Sequence, residues 1–164
     1  MAQPPFRDES TAVVARLTGA GRFQTALSMR GGTVLADEPV DVGGLASGPT
    51  PYELLSAALG ACTAMTMKLY ADHKGWEMPP FHVEVTHAGP CEGADRRDRF
   101  SRVIVFEAAL DEERRERMLH IANRCPVHRT LERGFTIETR LSGHPAGEPP
   151  AQHLADMERA CEED

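Results

Sequence analysis

Two cysteines carry the chemistry that this chain could do. Cys62 lies inside ACTAMT (61–66), and Cys125 opens the stretch CPVHRTLERG (125–134). Cys125 directly precedes Pro126, which places it as a helix N-cap with proline at the first helical position. Unpaired backbone N–H groups and the positive end of the helix dipole favour a thiolate there. Cys62 falls in the interior of an apolar helix among Leu and Met. Its thiol should be held protonated and inert unless a cation is brought to it from elsewhere in the fold. The plain alternatives are a small core residue for Cys62 and a helix-boundary residue for Cys125. The interval between the two carries no motif information. A metal site through Cys125 and His128 is disfavoured, because zinc takes four ligands and no second such pair exists. A hydrolase with Cys62 as nucleophile needs a partnered histidine, and His73, His82, His87 and His120 have no identifying context.

The elements that must position these thiols follow from periodicity. TAVVARL (11–17), RFQTALSM (22–29) and TVLADEP (33–39) read as a three-stranded meander with turns at TGAG (18–21) and RGG (30–32). DVGGLASGPTP (41–51) is a Gly/Pro-rich loop. From Pro51 to about residue 74, apolar residues recur at spacings of three and four: Leu54, Leu55, Ala58, Cys62, Met65, Leu69. No charge falls between Leu54 and Met67, so the helix is expected to be buried nearly all round. At 1.5 Å per residue it would run on the order of 35 Å. FHVEVTHA (81–88) alternates as a half-wet strand, and RFSRVIVFEAAL (99–110) is its hairpin partner. Asp111 caps a helix over EERRERMLHIANR, Cys125-Pro126 breaks it, and a short helix runs to Gly134. FTIETRL (135–141) is expected as a last strand. The order βββ-α-ββ-αα-β gives an α+β class. One domain spans 1–141, and 142–164 is a polar, acidic tail.

The totals narrow the function classes. The chain has 164 residues, 41% hydrophobic, enough for one real core built on aliphatic side chains, since aromatics make up only 5%. The net charge of −7 and the lack of a basic, aromatic-rich stretch argue against nucleic acid. The start, MAQPPFRDEST, shows no secretory signal, and no apolar run is expected to reach bilayer-spanning length. The expectation is a soluble cytoplasmic protein without a membrane partner. Its four cysteines, Cys62, Cys91, Cys125 and Cys161, should then rest reduced. Cys91 and Cys161 fall in a hairpin tip and the tail, with nothing nearby to fix their geometry.

The segments TPYELLSAALGACTAMTMKLYADHKGW and CPVHRTLERGFTIETRL, with ADEPVDVGG and GPTPYELL before them, resemble the osmotically inducible protein C (OsmC) and organic hydroperoxide resistance (Ohr) superfamily, in its OsmC-like branch. The likeness spans about residues 10 to 141. It implies an intertwined α+β homodimer with sheets wrapped around central helices. It also implies thiol peroxidase chemistry without a cofactor. Cys62 would attack an organic hydroperoxide and become a sulfenic acid, and Cys125 would resolve it as a disulfide. An external dithiol, a lipoyl protein or a thioredoxin-like one, would reduce that disulfide. Leu55, Ala58, Leu59, Met65 and Met67 would form an apolar mouth. The family's thiolate-stabilising arginine transfers best to Arg22, with Arg16 and Arg30 behind it. Its partner glutamate is replaced at the matching position by Tyr52, and Glu53 next to it is the candidate substitute. The alternative on the same scaffold is a non-catalytic or redox-sensing binding protein for an apolar or thiol-reactive small molecule.

Overall fold

The computed structural model describes residues 12–90, 97–137, 139 and 141. The chain divides into two compact units, one holding the described residues up to 51 together with 137, 139 and 141, the other residues 52–136.

In the first unit, β1 (Val14–Leu17), β2 (Thr25–Met29) and β3 (Gly32–Ala36) form an antiparallel meander. Its register pairs Ala15 with Leu27 and Leu27 with Val34. The strands are short and carry apolar side chains that stay exposed, including Val14, Leu17 and Val34. Order in the unit concentrates in the loop that follows. The Asp37 carboxylate, buried beneath the loop, accepts hydrogen bonds from the N–H of Glu38, Leu45 and Ser47 and from the Ser47 hydroxyl. The Ser47 hydroxyl, more than the backbone donors, holds this carboxyl below its usual range. Gly44 and Gly48 lie so close to other backbone that a Cβ would sit 1.8 Å from the Glu38 carbonyl oxygen and 2.0 Å from that of Leu35. Only glycine fits at either position.

In the second unit, α1 runs Pro51–His73. A hairpin of β4 (Phe81–Ala88) and β5 (Arg99–Phe106) follows, then α2 (Glu112–Ala122) and α3 (Pro126–Arg133). The hairpin pairs Phe81 with Phe106 through to Ala88 with Arg99, and β4 alternates half-buried and exposed positions as its sequence predicts. Asp111 caps α2 by accepting the Arg114 N–H at 2.8 Å. Met67, Tyr70 and Ala71 of α1 pack on Met118, Ile121 and Ala122 of α2, with Trp76, Phe81, Ile104 and Phe106 around them. Each of the larger apolar side chains fully buried here contributes about 1.5–3 kcal/mol.

Two expectations about α1 are corrected. The helix is not buried all round: its buried stripe is Leu59, Cys62, Thr63, Thr66, Met67, Tyr70 and Ala71. Leu55 and Met65 are exposed, and Ala58 with them. The buried stripe contains two threonines because their hydroxyls bond back to the carbonyls four residues earlier, Leu59 and Cys62, so neither arrives in the core unpaired. Length and apolar composition would also let α1 cross a bilayer, contrary to the expectation that no run reaches that length. Here its buried stripe packs a protein core instead. The expected strand over 135–141 is not formed at Phe135–Ile137, Thr139 or Leu141; Glu138, Arg140, the hairpin-tip Cys91 and the tail with Cys161 lie outside the described residues.

Candidate active site

The sequence breaks α2 from α3 at Cys125-Pro126, and this break builds the site. Cys125 takes extended dihedrals at the N-cap of α3, with Pro126 in the first turn. Its sulfur accepts the His128 N–H at 3.3 Å. The next free donor of the same helix start, the Val127 N–H, points at Cys62 Sγ from 3.5 Å. One helix N-terminus therefore holds both sulfurs. Cys62 is 2% exposed and Cys125 fully buried, packed with Leu59, Val85, Phe100, Val127 and Leu131. Both cysteines are reduced, and each acts on the ionisation of the other.

A cation reaches this pair from β5. Arg102 donates from Nη1 to the Thr63 hydroxyl at 2.8 Å and to the Ala122 carbonyl at 3.0 Å, and from Nη2 to Asn123 Oδ1 at 2.8 Å. Thr63 Oγ1 lies 3.7 Å from Cys125 Sγ. Arg102 is half-buried, and desolvation pulls its own pKa down while the two cysteines pull it up.

The two thiols titrate as a unit. The neighbouring Cys62 thiol holds the Cys125 pKa at about 6, helped by the His128 N–H, Thr63 and the charge of Arg102 and opposed by burial. Cys62, beside Cys125 and shielded from water, is pushed far up. Physically, two adjacent sulfurs share one proton, and the single negative charge belongs to the pair. This matches the sequence expectation that the N-cap thiol is the acidic one and the helix-interior thiol the protonated one.

Arg22 belongs to the first unit, where its guanidinium stands over the ring of Phe23, 4.9 Å from the centroid. Glu53 is an exposed residue in the first turn of α1. It precedes Cys62 by about 13 Å of helix axis at 1.5 Å per residue. Tyr52, at the position of the family glutamate, stacks flat on His87 with centroids 4.0 Å apart. His128 makes an ion-pair contact with Glu132 at 3.6 Å. Among the described residues no three His, Cys, Asp or Glu side chains gather to hold a metal.

Arg102 escaped the sequence reading although β5 signals it. In RFSRVIVF the inward positions are Phe100, Arg102, Ile104, and a lone arginine on an apolar face must have a buried partner. Beside it opens a cleft of about 1040 Å³ whose lining includes Leu59, Phe100, Arg102, Asn123, His128 and Leu131.

A family model for OsmC-like proteins matches residues 44–140, which contain α1, the hairpin, α2, α3 and both thiols. The chain belongs to the OsmC-like family. No curated protein matches it. Among solved structures, this OsmC-like chain is similar to a Psychrobacter arcticus protein assigned to osmotic stress induction and detoxification response. The two share 22% identity and a TM-score of 0.63, over 73% of this chain and 87% of that one. An OsmC-like protein from Mycoplasma pneumoniae aligns at 21% identity and a TM-score of 0.58, covering 76% of this chain and 89% of its own. The organic hydroperoxide resistance protein OsmC from Legionella pneumophila aligns at 16% identity and a TM-score of 0.54, covering 74% and 89%. At these identities the likeness establishes the α+β OsmC-like fold.

Proposed function

We propose that this OsmC-like protein is a thiol peroxidase that reduces organic hydroperoxides to alcohols with Cys62 and Cys125 as its redox pair. The observation that carries the reading is two reduced sulfurs that accept N–H groups from one helix N-terminus, beside a half-buried arginine. An inert core cysteine needs neither an N–H donor nor a cation.

The shared proton lets either sulfur be the nucleophile. Passing it from Cys62 to Cys125 places the charge on Cys62. The Cys62 thiolate then attacks the distal peroxide oxygen: an S–O bond forms, the O–O bond breaks, and the alkoxide leaves as alcohol after taking a proton. Cys125 displaces the sulfenic oxygen as water and closes a disulfide. An external dithiol of the lipoyl or thioredoxin type restores the pair by two exchange steps. The cleft beside Arg102, lined by Leu59, Phe100 and Leu131 as well as by charged side chains, has room for the organic group of a hydroperoxide. The exposed apolar side chains of the meander and of α1 (Val14, Leu17, Leu55, Met65) support assembly as a homodimer. A redox pair of this kind is expected to work in a reducing compartment such as the cytoplasm, where thiols rest reduced between turnovers.

The test is turnover of cumene hydroperoxide with dihydrolipoamide or dithiothreitol. Cys62→Ser should abolish it, and Cys125→Ser should leave a sulfenate on Cys62 that dimedone traps. Wild-type protein that consumes no peroxide with either reductant would overturn the proposal.

A further inference from the structure

We infer that Arg102, supplied by β5 of the same chain, is the residue that holds the single negative charge of the Cys62–Cys125 pair. The inference rests on the pair being the redox centre and names the group that makes it nucleophilic. The sequence reading sought this cation at Arg22, in the first unit; Arg102 is a separate candidate from the unit that holds the thiols.

The geometry is that of a fixed charge rather than a surface arginine that happens to lie near. Arg102 sits on the inward face of β5, between Phe100 and Ile104. Three hydrogen bonds tie its guanidinium to three places: α1 at Thr63, the last turn of α2 at Ala122, and the α2 C-cap Asn123. None of these partners is an anion. A half-buried guanidinium bonded only to neutral oxygens lacks charge compensation, which desolvation makes costly. The sulfurs supply it: Cys125 and Cys62 are the two negative groups whose charge acts on Arg102. The Thr63 hydroxyl, between Nη1 and Cys125 Sγ, fixes the guanidinium on the side of that sulfur.

The other groups acting most on the two thiols are each other, the Val127 and His128 N–H groups and the hydroxyls of Thr63 and Thr66, and none of these is a cation. Further charged residues around the cleft are Asp98, Glu107, Arg115, His128 and Glu132. His128 faces Glu132, and His87, packed on Phe100, faces Asp98. Each of these histidines thus has its own carboxylate.

The measurement is the rate of iodoacetamide alkylation against pH on the full chain, resolved by peptide mass spectrometry so that Cys91 and Cys161 are read separately. In wild type the Cys62–Cys125 pair should become reactive with an inflection near pH 6. Arg102→Gln should move it up by about one to three pH units, the range for removing an adjacent opposite charge. At pH 6 that is a loss of rate of roughly fivefold for one unit and of several hundredfold for three. Arg102→Lys keeps the charge without the fork and should restore most of the shift. It also decides the matter if the glutamine variant does not fold. An inflection unchanged in Arg102→Gln, or raised in Arg102→Lys as far as an isolated thiol, overturns the inference and leaves Arg102 a packing residue. Alkylation needs no peroxide turnover. A shifted profile in a protein without peroxidase activity would retain the charge role and sink the peroxidase reading, whereas turnover with an unshifted profile would do the opposite.

Discussion

Thr63→Val replaces one oxygen by one methyl at the point where α1, β5 and Cys125 meet. Thr63 is fully buried, and its hydroxyl accepts from Arg102 Nη1 at 2.8 Å while donating to the Leu59 carbonyl at 2.7 Å. Valine fills the same volume, so the loss is chiefly that of hydrogen bonding. A bond from a charged donor is worth about 1.5–3 kcal/mol, and here the bereaved group is a guanidinium already short of water. The back-bond to Leu59 adds little, because that carbonyl lies within α1, whose own backbone ladder serves it. The expected loss is therefore about 2–3 kcal/mol. Thr63→Ser keeps the oxygen and removes one methyl, which should cost about 0.8 kcal/mol. Urea unfolding under reducing conditions reads both, with fluorescence of the single tryptophan, Trp76, which packs against the α1–α2 core. If Thr63→Val is no more destabilising than Thr63→Ser, the hydroxyl does not anchor Arg102 and the network is misread.

Gly48→Ala should disrupt the loop of the first unit, since its Cβ would meet Leu35 backbone at 2.0 Å, at a cost of about 3 kcal/mol or more. Limited proteolysis of residues 36–50 should accelerate strongly in that variant. Gly31→Ala, whose Cβ meets nothing within 4 Å, should stay within about 0.5 kcal/mol of wild type. The thiol pair also fixes a pH dependence of stability. Folded, it loses its first proton at about pH 6 through Cys125 and retains the second on Cys62; unfolded, both thiols titrate near 9.0. Between those values the unfolded chain binds one proton more, so stability rises with pH. Above about 9 the unfolded chain loses both protons while the folded pair keeps one, and stability falls. The gain is absent below pH 6. Unfolding midpoints from pH 5.5 to 10 should show this rise in wild type and not in Cys125→Ser; parallel curves would contradict it.

The sequence showed the site's local chemistry more fully than its long-range partners. Cys125-Pro126 is a local signal, and it yielded both the helix break and the acidic N-cap thiol. Alternation in FHVEVTHA likewise yielded β4 with its wet face. Burial on α1 was misjudged because an apolar, uncharged helix says nothing about which side its neighbours cover. The covered stripe runs through Thr63 and Thr66, while Leu55 and Met65 face outward. Arg102 was absent from the sequence candidates for a related reason. Candidates were sought in turns, where arginines stand out, whereas Arg102 is hidden in a strand and meets α1 only through the tertiary fold. The chemical type of the partner followed from the physics of a buried thiol; its position needed coordinates.

The account depends on the two sulfurs reacting with each other, and one measurement addresses that directly. Fully reduced protein treated with one equivalent of cumene hydroperoxide is quenched by alkylation, digested and mapped by mass spectrometry. The account predicts stoichiometric loss of both free thiols and a single Cys62–Cys125 disulfide-linked peptide. Peroxide that leaves both cysteines alkylatable, or disulfides that run instead through Cys91 or Cys161, would contradict it.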